Sequence, residues 1–187
     1  LDLSRVLVDR FDLAAPPDGA ERALDPGRRP GDWQVLEALA DRRYPVAGAG
    51  YSLAPVAVAI DSGGEPGVTP NAYAFWRRMK QARPRRFWLV KPRGGLEAAR
   101  AQVRRPETAH QGKRHVARDV PLIRAGTDRL KAEVAASLAA APEAARRLTI
   151  PRAAPGEVFA EYAAERPDAK GLWEKRRGVQ RNEALDL

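Results

Sequence analysis

Residues 54–64, Ala54-Pro55-Val56-Ala57-Val58-Ala59-Ile60-Asp61-Ser62-Gly63-Gly64, decide the fold. The apolar run 54–60 has no polar interruption. A strand buried on both faces reads this way, and such a strand lies centrally in a sheet covered by helices. Asp61-Ser62-Gly63-Gly64 ends the run with turn-forming residues. Further on, Thr69-Pro70 gives the cap-then-proline start of a helix. Tyr73, Phe75, Trp76 and Met79 supply its apolar side, while Arg77, Arg78 and Lys80 face elsewhere. Residues 86–91, from Arg86 to Lys91, read as the next strand. Strand, helix and strand at this spacing make a βαβ unit with a parallel pair.

Outward from that unit the signals are shorter. Residues 3–11 alternate apolar and polar with Val6 and Val8 on one face, which predicts a strand, and 14–31 are rich in Pro, Gly and Ala, which predicts a loop. Asp32 is placed to cap a helix carrying Val35, Leu36, Leu39 and Ala40, ending near Tyr44-Pro45. Residues 92–118 lack periodicity and carry several glycines, so they are expected to form a mobile loop or extended arm. A strand follows at 120–125, then a helix from Thr127 or Asp128 to about Ala141. Short elements are expected at 147–150 (strand), 155–165 (helix) and 171–180 (strand), with Asn182 capping a last helix. No solenoid repeat is visible. The expectation is one α/β domain over 1–187, opening in a strand and closing in a helix's first turn, as a fragment truncated at both ends would.

Composition narrows the chemistry. Hydrophobic residues make up 44% and charged residues 30% of 187, as in a soluble globular chain with a real core. No apolar run is long enough to span a bilayer and no signal-peptide pattern opens the chain, so no membrane partner is expected. Cysteine is absent, which excludes disulfides, thiolate chemistry and cysteine-bound zinc. Histidine is confined to His110 and His115, so any metal would be held by oxygen, favouring Mg²⁺ or Mn²⁺. The net charge of +9 is concentrated: residues 77–118 hold fourteen Lys/Arg against Glu97 and Glu107. Such a stretch suits a polyanion, because neutralised phosphates release counterions. An arginine-rich proteome would leave the same trace.

Two acidic groups are candidates for chemistry. Asp61 closes a strand and is followed by small residues, the place where open α/β sheets put their sites. Capping the following turn is the other role open to it. Glu183 and Asp186 stand three apart in Asn182-Glu183-Ala184-Leu185-Asp186 and would share a helix face. They would equally suit a solvated helix start, where acids complement the macrodipole. Asp61-Ser62-Gly63-Gly64 has a superficial likeness to a serine-protease nucleophile segment, with Thr108-Ala109-His110 as its histidine. The order is reversed, Ile60 stands where Gly belongs and disulfides are absent, so that reading fails. Gly50-Tyr51-Ser52-Leu53-Ala54 is no nucleophile elbow, and no P-loop is present.

In order, Ala59-Ile60-Asp61-Ser62-Gly63-Gly64, Tyr73-Ala74-Phe75, Val90-Lys91, Leu122-Ile123 with Asp128 and Lys131, Trp173-Glu174-Lys175 and Arg181-Asn182-Glu183-Ala184-Leu185-Asp186 occupy nearly the whole chain. Together they resemble the phage-lambda-like branch of terminase large subunits, in their C-terminal nuclease domain. The resemblance implies an RNase H-like mixed sheet with flanking helices and an endonuclease that cuts concatemeric double-stranded DNA during packaging. It implies two Mg²⁺ or Mn²⁺ ions on carboxylates, with Asp61 and Asp186 as catalytic ligands and Glu183 as a weaker one. Lys91 would touch phosphate, and Arg93, Arg104, Arg105, Lys113 and Arg114 would contribute to DNA binding. The small terminase subunit and the portal protein are the implied partners, in the host cytoplasm at the procapsid. The family's early-strand acid has no match at Asp2, Asp9 or Asp12; it is expected upstream of Leu1, so these residues alone are expected to bind metal weakly and cut poorly. A catalytically silent nucleic-acid-binding module and an RNase H-like resolvase or integrase core are the alternatives.

Overall fold

The structure, a computed structural model, describes residues 4–105, 107–110 and 113–186, and of 107–110, 113–116 and 186 the backbone alone. In chain order the first elements are β1 (Arg5–Val6), a 3₁₀ turn (Pro30–Gln34), α1 (Val35–Asp41), β2 (Tyr44–Pro45), β3 (Ser52–Leu53) and β4 (Val58–Asp61). Next come α2 (Val68–Ala82), β5 (Phe87–Arg93), β6 (Ala101–Arg104), β7 (Glu107–His110), β8 (Lys113–Val116) and β9 (Leu122–Gly126). The chain continues with α3 (Thr127–Leu138), β10 (Leu148–Thr149), α4 (Gly156–Tyr162), β11 (Glu165–Pro167), β12 (Trp173–Lys175) and α5 (Glu183–Asp186). This is a mixed α/β architecture with a mixed sheet. Two compact units result. Leu13–Pro92 with Ala101–Arg124 form the first, and the described residues of Leu1–Asp12, Arg93–Arg100 and Ala125–Leu187 form the second.

The first unit is built on the sheet β4-β5-β9-β6, whose last residues in β5 and β9 count with the second unit. The expected βαβ unit is present: β4 and β5 are parallel, with Val58 opposite Phe87 and Asp61 opposite Val90. α2 lies between them in sequence and buries Ala72, Tyr73, Phe75, Trp76 and Met79. These meet Ile60, Phe87 and Leu89 of the sheet and Trp33 from the 3₁₀ turn. Phe75 meets Phe87 edge-on with centroids 5.2 Å apart, and Trp76 donates its indole N–H to the Phe87 carbonyl at 3.1 Å. The polar handle of the indole is therefore satisfied inside the core.

Several expectations are corrected. β4 covers only 58–61, and among the described residues it stands at one end of the sheet, not at its centre. Only Ile60 is buried in it, while Ala59 and Asp61 are exposed. Pro55 cannot donate to a ladder and Val56 is 85% exposed, so the apolar run outlasts the strand. α2 starts at Val68 with Gly67 as its cap at φ 92°, ahead of Thr69-Pro70. A side chain at Gly67 would place its Cβ 2.2 Å from the Gly27 carbonyl oxygen, so close backbone approach as well as dihedral angle demands glycine there. Asp32 caps no α-helix. It is buried and accepts bonds from the Arg22 guanidinium at 2.6 and 2.7 Å and from the Asp25 N–H at 2.8 Å, which fastens the 14–31 loop.

Parts of the 92–118 stretch are strand: β6 joins the main sheet, and β7 pairs antiparallel with β8 from Glu107 opposite Val116 to His110 opposite Lys113, while 94–100 has neither helix nor strand. In the second unit β1 is two residues long and parallel to β10, with Val6 and Val8 exposed where an apolar face was expected. β11 and β12 form an antiparallel pair, and α5 packs on α3 and α4. The strand expected over 171–180 is confined to Trp173–Lys175.

Leu89 is fully buried, so Leu89→Ala should cost about 2–5 kcal/mol in chemical denaturation. The Arg22 hydrogen bonds, helped by the Asp25 N–H, lower the Asp32 carboxyl to about 2. A lowered folded-state value means that stabilisation is complete above the unfolded value, about 4, and is lost as pH falls from there towards the folded one. Asp32→Asn is expected to be less stable than wild type at neutral pH and to show a flatter acid limb in a stability titration.

Candidate active site

Asp61 reaches the C-terminal end of β4 because the ladder with β5 continues one residue further, through the Ser62 N–H to the Val90 carbonyl at 2.9 Å. Its Oδ1 accepts the Gly63 N–H at 2.8 Å, an Asx turn, so the capping role is real. Its Oδ2 has no hydrogen bond among the described residues, and the side chain is exposed. Capping thus occupies one oxygen and leaves the other available.

Beneath Asp61 the turn is fastened by side chains. Ser62 is fully buried and its Oγ donates to the Val90 carbonyl at 3.0 Å. The Thr69 hydroxyl donates to the Ser62 carbonyl at 2.8 Å and accepts from Lys91 Nζ at 3.1 Å. Thr69, read from sequence as a helix cap, instead links the turn after β4 to β5. Lys91 is half-buried and held by that hydroxyl at the level of the Asp61 turn.

The late acids belong to the second unit. Glu183 is the exposed first residue of α5; Asp186 closes it, and its side chain lies outside the described residues. The Ala184 N–H donates to Glu161 Oε2 at 2.9 Å, and Glu161 also accepts from Arg10 at 3.0 and 3.3 Å. Asn182 donates to Glu165, whose other oxygen takes the Lys131 ammonium at 2.7 Å. Asp61 and the Glu183–Asp186 pair therefore stand on different units. Among the described residues no three His, Asp or Glu side chains gather in a group that could hold a metal ion. The free Asp61 oxygen suits a hard divalent cation as a single donor, without making a cage.

Sequence reasoning missed this buried ionic set. Glu161 and Glu165 are 4% and 7% exposed, so they are structural anchors and not surface acids. The signal that could have found them is weak: two acids in a helix and strand too short to show a face. Asp128 belongs here too. One oxygen accepts the Trp173 N–H at 2.7 Å and the other the Gly95 N–H at 2.6 Å. The Trp173 N–H first, then that of Gly95, holds its carboxyl below the usual range.

Of the expected phosphate contacts, Arg93 ends β5, Arg104 ends β6 and Arg105 follows it, all exposed. Lys113 and Arg114 lie in β8, their side chains outside the described residues. These cations therefore come from β5, β6, β8 and the residue that follows β6.

Comparison with known protein families matches residues 2–187 to the terminase large subunit gpA endonuclease domain. The chain belongs to that family. No match was found among curated proteins or among solved structures. In this gpA endonuclease domain, two of the ordered motifs, Asp128 and Trp173, are bonded directly to each other. The family motif around Asp61 and Lys91 is one fastened turn, bridged by Thr69.

Asp128→Ala would leave two N–H groups without their acceptor and should cost about 1–3 kcal/mol at neutral pH. Because the Asp128 carboxyl is lowered, its contribution is present above the ordinary carboxylate range and lost below it. The gap between wild type and Asp128→Ala in urea denaturation should therefore narrow on acidification.

Proposed function

We propose that this gpA endonuclease domain is a metal-dependent endodeoxyribonuclease of RNase H-like fold that cuts concatemeric double-stranded DNA during phage packaging. The observation that supports this reading best is the exposed, uncommitted Oδ2 of Asp61, in a turn fastened at the end of a parallel βαβ unit. Asp61, Asp186 and Glu183 are the oxygen donors proposed for Mg²⁺ or Mn²⁺. Bound there, such ions supply Lewis acidity for activating water and stabilising the leaving oxygen in phosphodiester hydrolysis.

The chain's own residues have distinct tasks in this proposal. The Gly63 N–H, by holding Oδ1, steadies the Asp61 carboxylate and leaves Oδ2 without a hydrogen bond among the described residues. Ser62 and Thr69 keep that turn in register with β5. Lys91, steadied by Thr69, presents a cation for a phosphate oxygen. Small terminase subunit and portal are the proposed partners, at the procapsid in the host cytoplasm. No helix among the described residues is long and apolar enough to cross a membrane.

The second reading is a catalytically silent DNA-binding module. It is favoured by the exposed cations Arg93, Arg104 and Arg105, which suit phosphates without requiring any chemistry. A plasmid-nicking assay of the full-length protein with Mg²⁺ or Mn²⁺ separates the two. Asp61→Asn keeps the Asx-turn acceptor but removes the anionic ligand, so cutting should fall to background while DNA affinity and fold persist. Chelation of the metal should act alike on the wild type. Wild-type nicking by Asp61→Asn would sink the nuclease assignment.

A further inference from the structure

We propose that a basic, aromatic groove at the end of the sheet opposite Asp61 is a second DNA contact, gripping the sugar–phosphate backbone away from the proposed cutting site. The groove lies within the first unit, encloses about 490 Å³ and is lined by Trp76, Lys80, Arg85, Trp88, Arg105 and Arg118 among others. Its position follows from the topology. α2 ends at Ala82 and β5 starts at Phe87, so Lys80, Arg85 and Trp88 gather where the helix turns back into the sheet. Asp61 is opposite Val90 in the parallel pair, whereas Phe87 is opposite Val58. Three residues of strand separate the two levels, roughly 10 Å at the usual rise. Arg105 and Arg118 come from the two chain segments that flank the β7–β8 hairpin.

The charges there are uncommitted. Asp119, the one acid lining the groove among the described residues, is held by Arg77 in a paired contact at 2.6 and 3.0 Å. Arg83, also in the lining, is tied to Asp41. Arg85, Arg105 and Arg118 are exposed and pair with no described acid, and Lys80, also exposed, acts on Asp119 only through its charge, without a direct ion pair. Lys80 lies over the Trp76 ring at 5.3 Å, which orients its ammonium without neutralising it. Four such cations around a concavity whose described acid is already paired create a positive potential, to which successive phosphates are the fitting ligand.

Backbone strain marks the same place. Arg85 has φ 62°, in the left-handed region where glycine or asparagine would sit at less cost. Its carbonyl accepts the Trp88 indole N–H at 3.1 Å, so the strained turn also fixes the indole that walls the groove. A turn that only had to reverse the chain would not need an arginine there.

The groove concerns the same DNA as the nuclease proposal but none of its acids, so either can fail alone. Anisotropy of a short labelled duplex, titrated across salt, is the test. Arg85→Gly with Lys80→Ala and Arg118→Ala is expected to weaken binding by roughly tenfold or more and to flatten the log–log salt slope by about 0.9 for every phosphate that is no longer neutralised. Arg85→Gly alone relieves the left-handed strain, so its melting temperature should hold or rise while affinity falls; that combination separates binding from misfolding. A control that removes equal charge from the second unit, Lys170, Arg176 and Arg177 each to Ala, is expected to bind nearly as wild type. Equal weakening by control and groove variants would reduce the effect to net charge and overturn the proposal, as would an unchanged slope. Cutting at saturating DNA should survive in the groove variant, whereas Asp61→Asn binds without cutting. Loss of cutting in the groove variant at saturating DNA would make these residues part of the cutting site and equally overturn it.

Discussion

The parallel pairing of β4 with β5 carries the first unit. It sets Ile60 and Leu89 into one apolar layer and, in the same register, sets Asp61 beside Val90 where the ladder ends. α2 is obliged to cross between the two strands, and its aromatic side is what fills the space: Phe75 against Phe87 and Trp33, Trp76 bonded to the Phe87 carbonyl. A register slip of one residue would exchange the faces of Ile60 and Asp61, burying a carboxylate and exposing the core. The same constraint that packs the core therefore holds the acid outward. It also explains why the two chemically interesting places of this unit, the Asp61 turn and the basic groove, fall at opposite ends of one pair of strands.

The second unit relies on a different kind of interaction. Two of its three helices, α4 and α5, are short, and its buried apolar residues are few, Val158 and Ala164 among them. Buried ions fill the gap. Glu161 binds Arg10 and the α5 backbone, Glu165 binds Lys131 and Asn182, and Asp128 closes two backbone N–H groups. Removing one partner from such a set leaves a desolvated charge behind, so each member is costly to lose even if the intact set adds little net stability. What the set does confer is position: α5, with Glu183 at its start, is located by Glu161 and Asn182 and not by a large apolar face.

Much of this was legible in sequence because it was local or periodic. The βαβ unit followed from an apolar run, an aromatic helix and a second run, and the β5, β9, α3 and α4 segments fell near their expected places. The failures share a cause. Asp32 carries a good local capping signal, but an arginine ten residues earlier claims its carboxylate. Thr69-Pro70 is a good helix start, yet Gly67 two residues before it admits the Gly27 carbonyl and takes over the cap. β6 is only four residues long, with Ala101 and Val103 alternating but both exposed, and the β7 and β8 sequences carry one apolar residue each, so no sustained apolar alternation announced them. The candidate site divides in the same way. Asp61 was visible as an acid ending a strand; the half-committed carboxylate and the Thr69 bridge to Lys91 were not.

By itself the sequence determined the α/β class, the lack of thiol and histidine-rich chemistry, the concentration of positive charge and the family to which the ordered motifs point. Those depend on residue type and on spacing along the chain, which sequence records directly. Only the tertiary structure decided which oxygen of Asp61 is already used, that Asp128 and Trp173 touch, and which arginines lack a described acidic partner. The first depends on the exact geometry of a local turn, and the other two on groups tens of residues apart competing for the same hydrogen-bond donor or carboxylate. Such competition is settled by packing distances of a few ångströms, and one-dimensional spacing carries no trace of them.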